Sequence, residues 1–358
     1  GEPGVLSAPF APGAALPALI VLACVASAAA IFALRDDQVR LRAGVGLAGS
    51  GATLVLVARL VVGVRRGERF ETRIPFLPGE DILLRADALS VLFVGLSAVL
   101  WLITTIYALG YLRAGPNRSR FFGFFALCVS ATMGVALAGN LVTFVVFYEV
   151  LTLATYPLVV HHGDAAALRA GRVYLLYTLS GGALLLMGAM LLHGLHGAGD
   201  FEVGGLLAGA ETRPGDDALR LLFAILIAGL GVKAALVPLH GWLPLAMVAP
   251  APVSALLHAV AVVKAGAYGI VRVTHDLFGI GLAQSLGVLP VLAGTAAITI
   301  VWGSLRALRQ DDLKRRLAYS TVSQVSYIAL GTALAHPVAA LGAILHLIHQ
   351  GIMKITLF

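Results

Sequence analysis

Four charged residues interrupt long apolar segments of this 358-residue chain: Glu149, Lys233, Lys264 and Lys354. Glu149 is the only acidic residue inside any of these segments. A charge at bilayer depth costs about 2.5–3.5 kcal/mol on insertion scales, so membrane helices that keep one generally use it. A buried carboxylate and several buried amines can pass protons or cations from one group to the next. The sequence therefore predicts transport across a membrane.

Glu149 lies near the middle of an apolar stretch between residues 140 and 161. A lysine nearby would hold its carboxylate ionised, whereas burial without a cation would keep it protonated. This dependence on a neighbour makes its charge switchable. The alternative interpretation is a neutral Glu149 that hydrogen-bonds to a neighbouring helix.

Lys233 is followed by a series of prolines at Pro238, Pro244, Pro250 and Pro252. A proline inside a helix removes a backbone donor and clashes with the preceding turn. A membrane helix broken in this way must satisfy its freed carbonyls against protein or water, and such broken helices form ion sites in transporters. The alternative is a Lys233 side chain that extends from a helix end to the membrane interface.

The helix that begins at the last two prolines carries three polar residues. Ser254 and His258 share one face at a spacing of four. In a continuous helix, Lys264 would lie about 9 Å further along the axis and about 120° around it. One or two waters would span that separation, and histidine, which titrates near neutral pH, suits a relay between two amines. The alternative is a core histidine with satisfied hydrogen bonds.

A stripe of polar residues follows the charged turn 311–316, which is itself predicted to be a solvated loop. Ser320, Ser323, Gln324 and Tyr327 lie on one helical face, at the spacing of three, four and seven residues that is typical of such a face. One interpretation is that the stripe lines a hydrated path. The other is that these side chains hydrogen-bond to neighbouring helices and hold the bundle together.

A second stripe lies in the last apolar segment. His346, Gln350 and Lys354 repeat at a spacing of four, and His349 lies about 60° from their line. His346 and His349 have no cysteine or second carboxylate near them in the sequence, so we expect no metal site. The sequence contains no flavin, quinone or iron–sulfur motif, and we expect no cofactor.

The composition is that of a membrane protein. Hydrophobic residues make up 59% of the chain and charged residues 12%, against about 25% charged residues in soluble domains. Although the net charge is +7, the basic residues lie in short loops between apolar segments, which favours membrane orientation over nucleic-acid binding. Cys24 and Cys128 lie in apolar stretches without metal-binding spacing.

A membrane span needs about 20 mostly apolar residues, and the sequence predicts an all-α polytopic protein with eleven such spans. They lie at residues 12–34, 43–64, 88–112, 119–139, 140–161, 170–194, 218–238, 251–275, 284–308, 316–335 and 338–358. The polar segment 68–87 is predicted to form an extramembrane hairpin. Lysine and arginine are more frequent in the odd-numbered loops, which places those loops in the cytoplasm.

Taken together, these motifs resemble one family: the antiporter-like proton-conducting subunits of respiratory complex I, membrane-bound hydrogenases and multisubunit (Mrp-type) sodium/proton antiporters. The resemblance covers roughly residues 85–358. The stretches that carry it are 149–153, 233–244, 249–258, 264–266 and 312–324. Some members have histidine where this chain has Gln350, and the displaced His349 is similar to antiporter subunits of the D type.

The resemblance implies two inverted five-helix repeats, each with one broken helix. Residues 1–112 would form three N-terminal helices and the hairpin, residues 113–275 the first repeat, and residues 276–358 the start of an incomplete second repeat. Because the chain ends in an apolar run, we expect the natural protein to continue beyond Phe358, where the proton exit would lie.

The resemblance also implies roles for individual residues. Glu149 and Lys233 would form an ion pair that gates proton movement, and His258 and Lys264 would carry the proton toward the middle of the membrane. The residues expected to carry protons are Glu149, Lys233, His258, Lys264, His346 and Lys354. The residues that would line the path are His240, Ser254, Ser320, Ser323, Gln324, Tyr327, His349 and Gln350.

The function implied is proton translocation across the cytoplasmic membrane of a prokaryote, by a subunit of a multisubunit cation/proton antiporter. Other integral membrane subunits are the expected partners, protons and sodium the expected ions, and no nucleic acid is expected to bind. One alternative is the same channel subunit in a redox-driven pump, as in complex I or a membrane-bound hydrogenase. Another is a structural membrane subunit without transport activity.

Overall fold

The computed structural model describes residues 15–112, 115–210 and 213–358. The first residues of the predicted span 12–34 and of the predicted repeat 113–275 lie outside the described residues. The helices up to the first break are α1 (Leu16–Phe32), α2 (Val39–Arg65), α3 (Ala88–Tyr111), α4 (Arg118–Leu137), α5 (Leu141–Val159), α6 (Ala165–His196) and α7 (Asp216–Lys233).

The remaining helices are shorter near the break and long again toward the end of the chain. They are α8 (Trp242–Leu245), α9 (Ala251–Ala259), α10 (Val262–Arg272), α11 (Ile280–Ser285), α12 (Leu289–Leu308), α13 (Leu313–Ala333) and α14 (Pro337–Leu357). A 3₁₀ turn, Ala246–Val248, follows α8, and a π-helical segment, Val273–Phe278, continues α10.

The predicted helical membrane fold is confirmed. In the described part of the chain, eight helices are long and apolar enough to cross a membrane, with the segment Ala251–Phe278 taken as one. Helices occupy all eleven predicted positions, but the number of eleven spans stays a prediction. The inverted repeats, the division at residues 112 and 275 and the orientation of the loops also stay predictions.

Polar residues fix where several of these helices begin. The side chains of Asp87, Asn140, Asp164 and Asp312 each accept a backbone N–H from the first turn of α3, α5, α6 and α13 respectively. Each side chain satisfies a donor that the helix itself leaves free. The helices that carry Glu149 and the stripe of α13 therefore have defined first residues.

The hairpin predicted at residues 68–87 is confirmed. Strands β1 (Phe70–Leu77) and β2 (Glu80–Ala86) pair antiparallel. The hairpin is attached to the start of α5, because the Leu83 N–H donates to Thr143 Oγ1 at 2.7 Å and Asn140 Nδ2 donates to the Asp81 carbonyl at 2.9 Å.

The helix break predicted after Lys233 is also confirmed. Helix α7 ends at Lys233, and regular helix resumes only at Trp242. The carbonyls freed by this break are satisfied within the protein. Trp242 Nε1 donates to the Val232 carbonyl at 2.8 Å, and the Leu236 N–H donates to the Gly231 carbonyl at 2.9 Å.

The prediction of one continuous helix over residues 251–275 is wrong. Helix α9 ends at Ala259, and Ala261, with φ −91° and ψ −91°, precedes α10. The helical-wheel relation expected between His258 and Lys264 therefore does not hold. No proline or glycine lies at this break, and α14 passes close to it, since a Cβ on Gly351 would lie 2.9 Å from the Ala259 carbonyl.

The broken segment Ala251–Phe278 forms the centre of the bundle, since all of its residues except His275 and Asp276 are buried inside the described chain. Helix α9 packs against α3 and α14, and α10 packs against α7 and α13. The residues expected to carry protons lie on this segment or on helices packed around it.

Arg272 connects the end of α10 to the start of α3. This almost fully buried residue lies 2.7 Å from a carboxylate oxygen of Asp87 and 2.7 Å from one of Asp276. Burial raises the pKa of the Asp87 carboxyl and the Arg272 guanidinium lowers it, with a net result below its ordinary value. Removing the guanidinium would leave two carboxylates in poorly solvated positions.

Arg272→Met is expected to lower the free energy of unfolding by about 3–5 kcal/mol, because it breaks a buried ion pair from one side. Arg213→Met removes the exposed pair with Asp216 and should change it by less than about 1 kcal/mol. Denaturant unfolding of the purified protein in detergent measures both. Equal stability losses in the two variants would contradict the stabilising role of the buried ion pairs between Arg272 and the two carboxylates.

Candidate functional site

Lys233 and Glu149 are neighbours in the structure, but they are not in contact as an ion pair. The fully buried Lys233 ammonium donates to the backbone carbonyl of Tyr148 and lies 3.3 Å from the centroid of the Tyr148 ring. Tyr148 directly precedes Glu149 on α5. In the part of the chain that the structure describes, neither carboxylate oxygen of Glu149 lies within 4.0 Å of the Lys233 ammonium. The gating ion pair therefore stays a prediction.

The Glu149 carboxylate is half-buried and points toward α6. Its Oε1 is shielded from solvent and has no hydrogen-bond partner in the described chain. A Cβ atom built on Gly182 of α6 would overlap this carboxylate. The absence of a side chain at residue 182 is therefore what gives Glu149 room for its present position.

His258 lies at the end of α9 and is fully buried. Neither of its ring nitrogens has a hydrogen-bond partner within the described residues, and its ring stacks on Phe358 with 4.7 Å between centroids. Ser254 makes only a long hydrogen bond of 3.5 Å to the Ala249 carbonyl. Buried polar groups of this kind commonly bind ordered water.

Lys264, on α10, is also fully buried. Its ammonium donates to the Leu347 carbonyl of α14 at 2.7 Å. Lys264 and His258 thus lie on opposite sides of the break between α9 and α10, and both face α14 or its end.

The stripe predicted on α14 faces the interior. Lys354 is fully buried, and its ammonium donates to Ser320 Oγ at 2.8 Å and to the Leu317 carbonyl at 3.2 Å. Gln350 is fully buried, and both polar atoms of its amide lack protein partners in the described chain. His346 Nε2 donates to the Gln324 carbonyl at 3.0 Å. His349, by contrast, is exposed.

The stripe predicted on α13 is divided between two neighbours. Ser320 contacts Lys354, whereas Ser323 shares a hydrogen bond of 2.9 Å with Ser304 of α12. Ser320, Ser323 and Gln324 also line a cavity of ≈ 460 Å³. Tyr327 is exposed and contacts only the ring of His346 among these residues, with 5.6 Å between centroids.

His240 lies apart from the expected proton carriers. It occupies the irregular segment after α7, where its Nε2 accepts a hydrogen bond from Trp302 Nε1 at 3.3 Å. Its ring also contacts Tyr319, at 6.2 Å between centroids. Within the described chain, its hydrogen bond and ring contacts include none of the six predicted carriers.

Lys314 shows that the turn 311–316 is not wholly a solvated loop, so that prediction is wrong for this residue. Its half-buried ammonium donates to the carbonyls of Met247 and Ala249, at 3.2 Å and 2.6 Å. These carbonyls lie at the end of the 3₁₀ turn after the break in α7. A cation at such a helix end satisfies free carbonyls and is favoured by the helix dipole.

Sequence reasoning missed Tyr148 and Gly182. Tyr148 was visible only as an aromatic residue beside Glu149, and adjacent residues of a helix point in different directions. Gly182 was one of 41 glycines. Neither could be linked to Lys233 or Glu149 without the packing of α5, α6 and α7.

The arrangement as a whole can store and move positive charge. Its three buried ammonium groups are held by carbonyl and hydroxyl oxygens. The buried imidazole of His258 and the buried amide of Gln350 have no protein partners in the described chain. An array of buried titratable and polar groups is the kind of arrangement that proton transfer requires.

Comparison with known proteins gives a consistent result. The family model described as "NADH:quinone oxidoreductase/Mrp antiporter, TM" matches residues 138–358. The A/B subunit of a probable K(+)/H(+) antiporter from Rhizobium meliloti is 31% identical over 317 residues, covering 85% of this chain and 30% of the relative. NADH-quinone oxidoreductase subunit L of Mycobacterium tuberculosis is 36% identical over 282 residues, covering 78% of this chain and 43% of the relative.

Among solved structures, a chain of the Mrp complex from Dietzia sp. DQ12-45-1b superimposes with a TM-score of 0.84 at 26% identity, covering 97% of this chain and 63% of that chain. With respect to length, this chain spans less than half of each of the two curated relatives named above. The resemblance to D-type subunits stays a prediction.

A double-mutant cycle tests the packing of Glu149 against Gly182. Gly182→Ala is expected to lower the free energy of unfolding by about 1–3 kcal/mol, because the new methyl group overlaps the carboxylate. In a Glu149→Ala background the same change should cost almost nothing, since the overlapping group is gone. Unfolding of the purified variants in detergent measures the coupling.

Gly194→Ala is the matched control, because residue 194 lies on the same helix and a Cβ there meets nothing within 4 Å. It should leave stability unchanged or raise it slightly. Additive effects of Gly182→Ala and Glu149→Ala would show that the carboxylate lies elsewhere.

Proposed function

Because the chain belongs to the NADH:quinone oxidoreductase/Mrp antiporter transmembrane family, we propose that it conducts protons across a membrane as a subunit of a multisubunit cation/proton antiporter. The relatives named above are bacterial and are themselves named as subunits. Other integral membrane subunits are therefore the proposed partners, and the cytoplasmic membrane of a prokaryote is the proposed location. Protons are the proposed substrate, with sodium or potassium as the exchanged ion.

The observation that carries this proposal is the surroundings of the three buried lysines. Lys233, Lys264 and Lys354 are fully buried, yet within the described chain no ion pair within 4.0 Å joins any of them to a carboxylate. Their ammonium groups are held by uncharged oxygens. A buried lysine in such surroundings can lose and regain its proton, whereas an arginine would stay charged.

A structural ion pair would look different in this fold. Arg272 provides the comparison, because it is buried between two carboxylates and satisfied by both. The fold thus uses arginine with carboxylates where it needs a fixed charge. Lysine with neutral oxygens is what a carrier of exchangeable protons requires.

The packing supports a route for the proton. Lys233, at the broken end of α7, contacts Tyr148, the residue before Glu149 on α5. Helix α10, which carries Lys264, packs against α7. Lys264 contacts α14, which carries Lys354, and Lys354 contacts Ser320 on α13. A change of charge on Glu149 would release the proton of Lys233 toward His258 and Lys264. Such coupled groups titrate together rather than one by one.

A second function has support from one comparison. The relative of higher identity described above is named as a subunit of NADH-quinone oxidoreductase, so the same proton path could be driven by a redox module in partner subunits. Analysis of iron and flavin in the purified intact complex separates the two functions. Iron–sulfur clusters and flavin in stoichiometric amounts would favour the redox-driven pump.

The charges of Glu149 and Lys233 are expected to be essential. Glu149→Gln and Lys233→Met keep the approximate shape of each side chain and remove its charge, so both should slow pH-gradient-driven exchange by about 100-fold or more. Fluorescence quenching of a pH-sensitive dye in vesicles that contain the assembled complex measures the rate. Glu202→Gln, which removes an exposed carboxylate, is the control and should exchange normally.

Recovery of the intact complex must be equal in all variants. Normal exchange by an assembled Glu149→Gln or Lys233→Met complex would overturn the proposed function and favour a structural subunit.

A further inference from the structure

The Lys233 ammonium occupies a site formed by a single residue. It lies over the face of the Tyr148 ring, 3.3 Å from the centroid, and donates to the carbonyl of the same residue. The face of an aromatic ring carries partial negative charge, and a cation over it is attracted most strongly where water is excluded. Both residues are fully buried. The ring and the carbonyl thus stabilise the charged ammonium and offset part of the cost of burying it.

Tyr148 is held firmly in the orientation that this site needs. Its hydroxyl donates to the Gly229 carbonyl of α7 at 3.1 Å, one turn before Lys233. Its ring packs on Phe144, with 5.6 Å between centroids, and Thr152 Oγ1 donates to its carbonyl at 3.3 Å. The hydroxyl bond ties the ring to the same helix that carries the lysine.

The Glu149 carboxylate lies nearby and offers the Lys233 ammonium an alternative binding position. Successive residues of a helix point about 100° apart, so the Glu149 carboxylate is directed away from the Tyr148 ring and toward Gly182. Its Oε1 has no partner among the described residues. A lysine side chain has a flexible four-carbon stem, which allows its charged end to move between two neighbouring groups.

We propose that Tyr148 is the second binding position of the Lys233 ammonium, a positioning residue that holds this charge whenever it is separated from Glu149. The inference deepens the proposed function and rests on it. If Lys233 must leave Glu149 to pass its proton on, the ring and carbonyl of Tyr148 prevent the ammonium from standing unpaired in an apolar interior. The balance between the two positions then sets the pH range in which the protein works.

Fluorination of the ring tests this proposal without changing its shape. Tyr148→Phe serves as the reference, and residue 148 is then replaced by phenylalanines with one, two or three ring fluorines, introduced by stop-codon suppression. Each fluorine weakens the negative face of the ring. Each added fluorine therefore stabilises the charged form of Lys233 less. In the profile of exchange rate against pH, the fall in rate at alkaline pH should move progressively to lower pH, by about one pH unit over the series.

The measurement is the exchange rate of the assembled complex in vesicles at a series of pH values. A pH profile that does not change with fluorine number would overturn the proposal, because a purely structural role of the ring does not depend on its electrostatics. Loss of the Tyr148 hydroxyl alone should leave the profile close to that of the unchanged protein, since the ring and the carbonyl remain.

Leucine substitutions provide a matched comparison. Tyr148→Leu removes the ring that contacts Lys233, and it should slow exchange by about tenfold and shift the pH profile. Phe223→Leu removes a buried ring from α7, the helix that carries Lys233, and this ring contacts Phe278 rather than Tyr148, so it should leave the profile in place. The same shift in both variants would count against Tyr148.

Failure of this inference can be told apart from failure of the proposed function. If Lys233→Met exchanges normally, the proposed function itself is wrong. If exchange requires Lys233 and Glu149 but is insensitive to fluorination at residue 148, only the role of Tyr148 is wrong.

Discussion

The break of α7 immediately after Lys233 is the constraint on which the rest of the site depends. A broken helix inside an apolar bundle exposes carbonyl groups that lipid cannot satisfy. Trp242 satisfies one of them by its indole N–H, and Lys314 caps the carbonyls at the far end of the broken segment. These contacts fix the end of α7. They thereby fix the position of the Lys233 side chain along α5, next to the adjacent residues Tyr148 and Glu149.

The charged groups of the bundle fall into two kinds. Arg272 is fully compensated by carboxylates near the end of the central segment and joins two helices. The three buried lysines have only uncharged oxygens around them in the described chain. Since a guanidinium cannot give up its proton and an ammonium can, the arginine is suited to holding the fold and the lysines to the charge exchange proposed for them.

Much of the fold and several candidate site residues could be predicted from residue types. Charges are so costly in lipid that Glu149, Lys233, Lys264 and Lys354 could be predicted as candidate functional residues, and the polar segment 68–87 could be identified as a hairpin. The break after Ala259 could not, because no proline or glycine lies there. The contact partner of Lys233 could not be predicted either. The sequence favours the Glu149 carboxylate, whereas the packing brings the Tyr148 ring to the ammonium. His240 is predicted from its motif to line the path, but its contacts lie with Trp302 and Tyr319.

The attachment of the hairpin to α5 has a mechanical consequence. Backbone and side-chain hydrogen bonds join β2 to Asn140 and Thr143, and Arg73 of β1 binds Asp200 in the loop between α6 and α7. Glu149 lies about 14 Å along the same helix axis from Asn140. Because the hairpin and the carboxylate are attached to one helix, a shift of the hairpin along the α5 axis would be expected to move Glu149 with it.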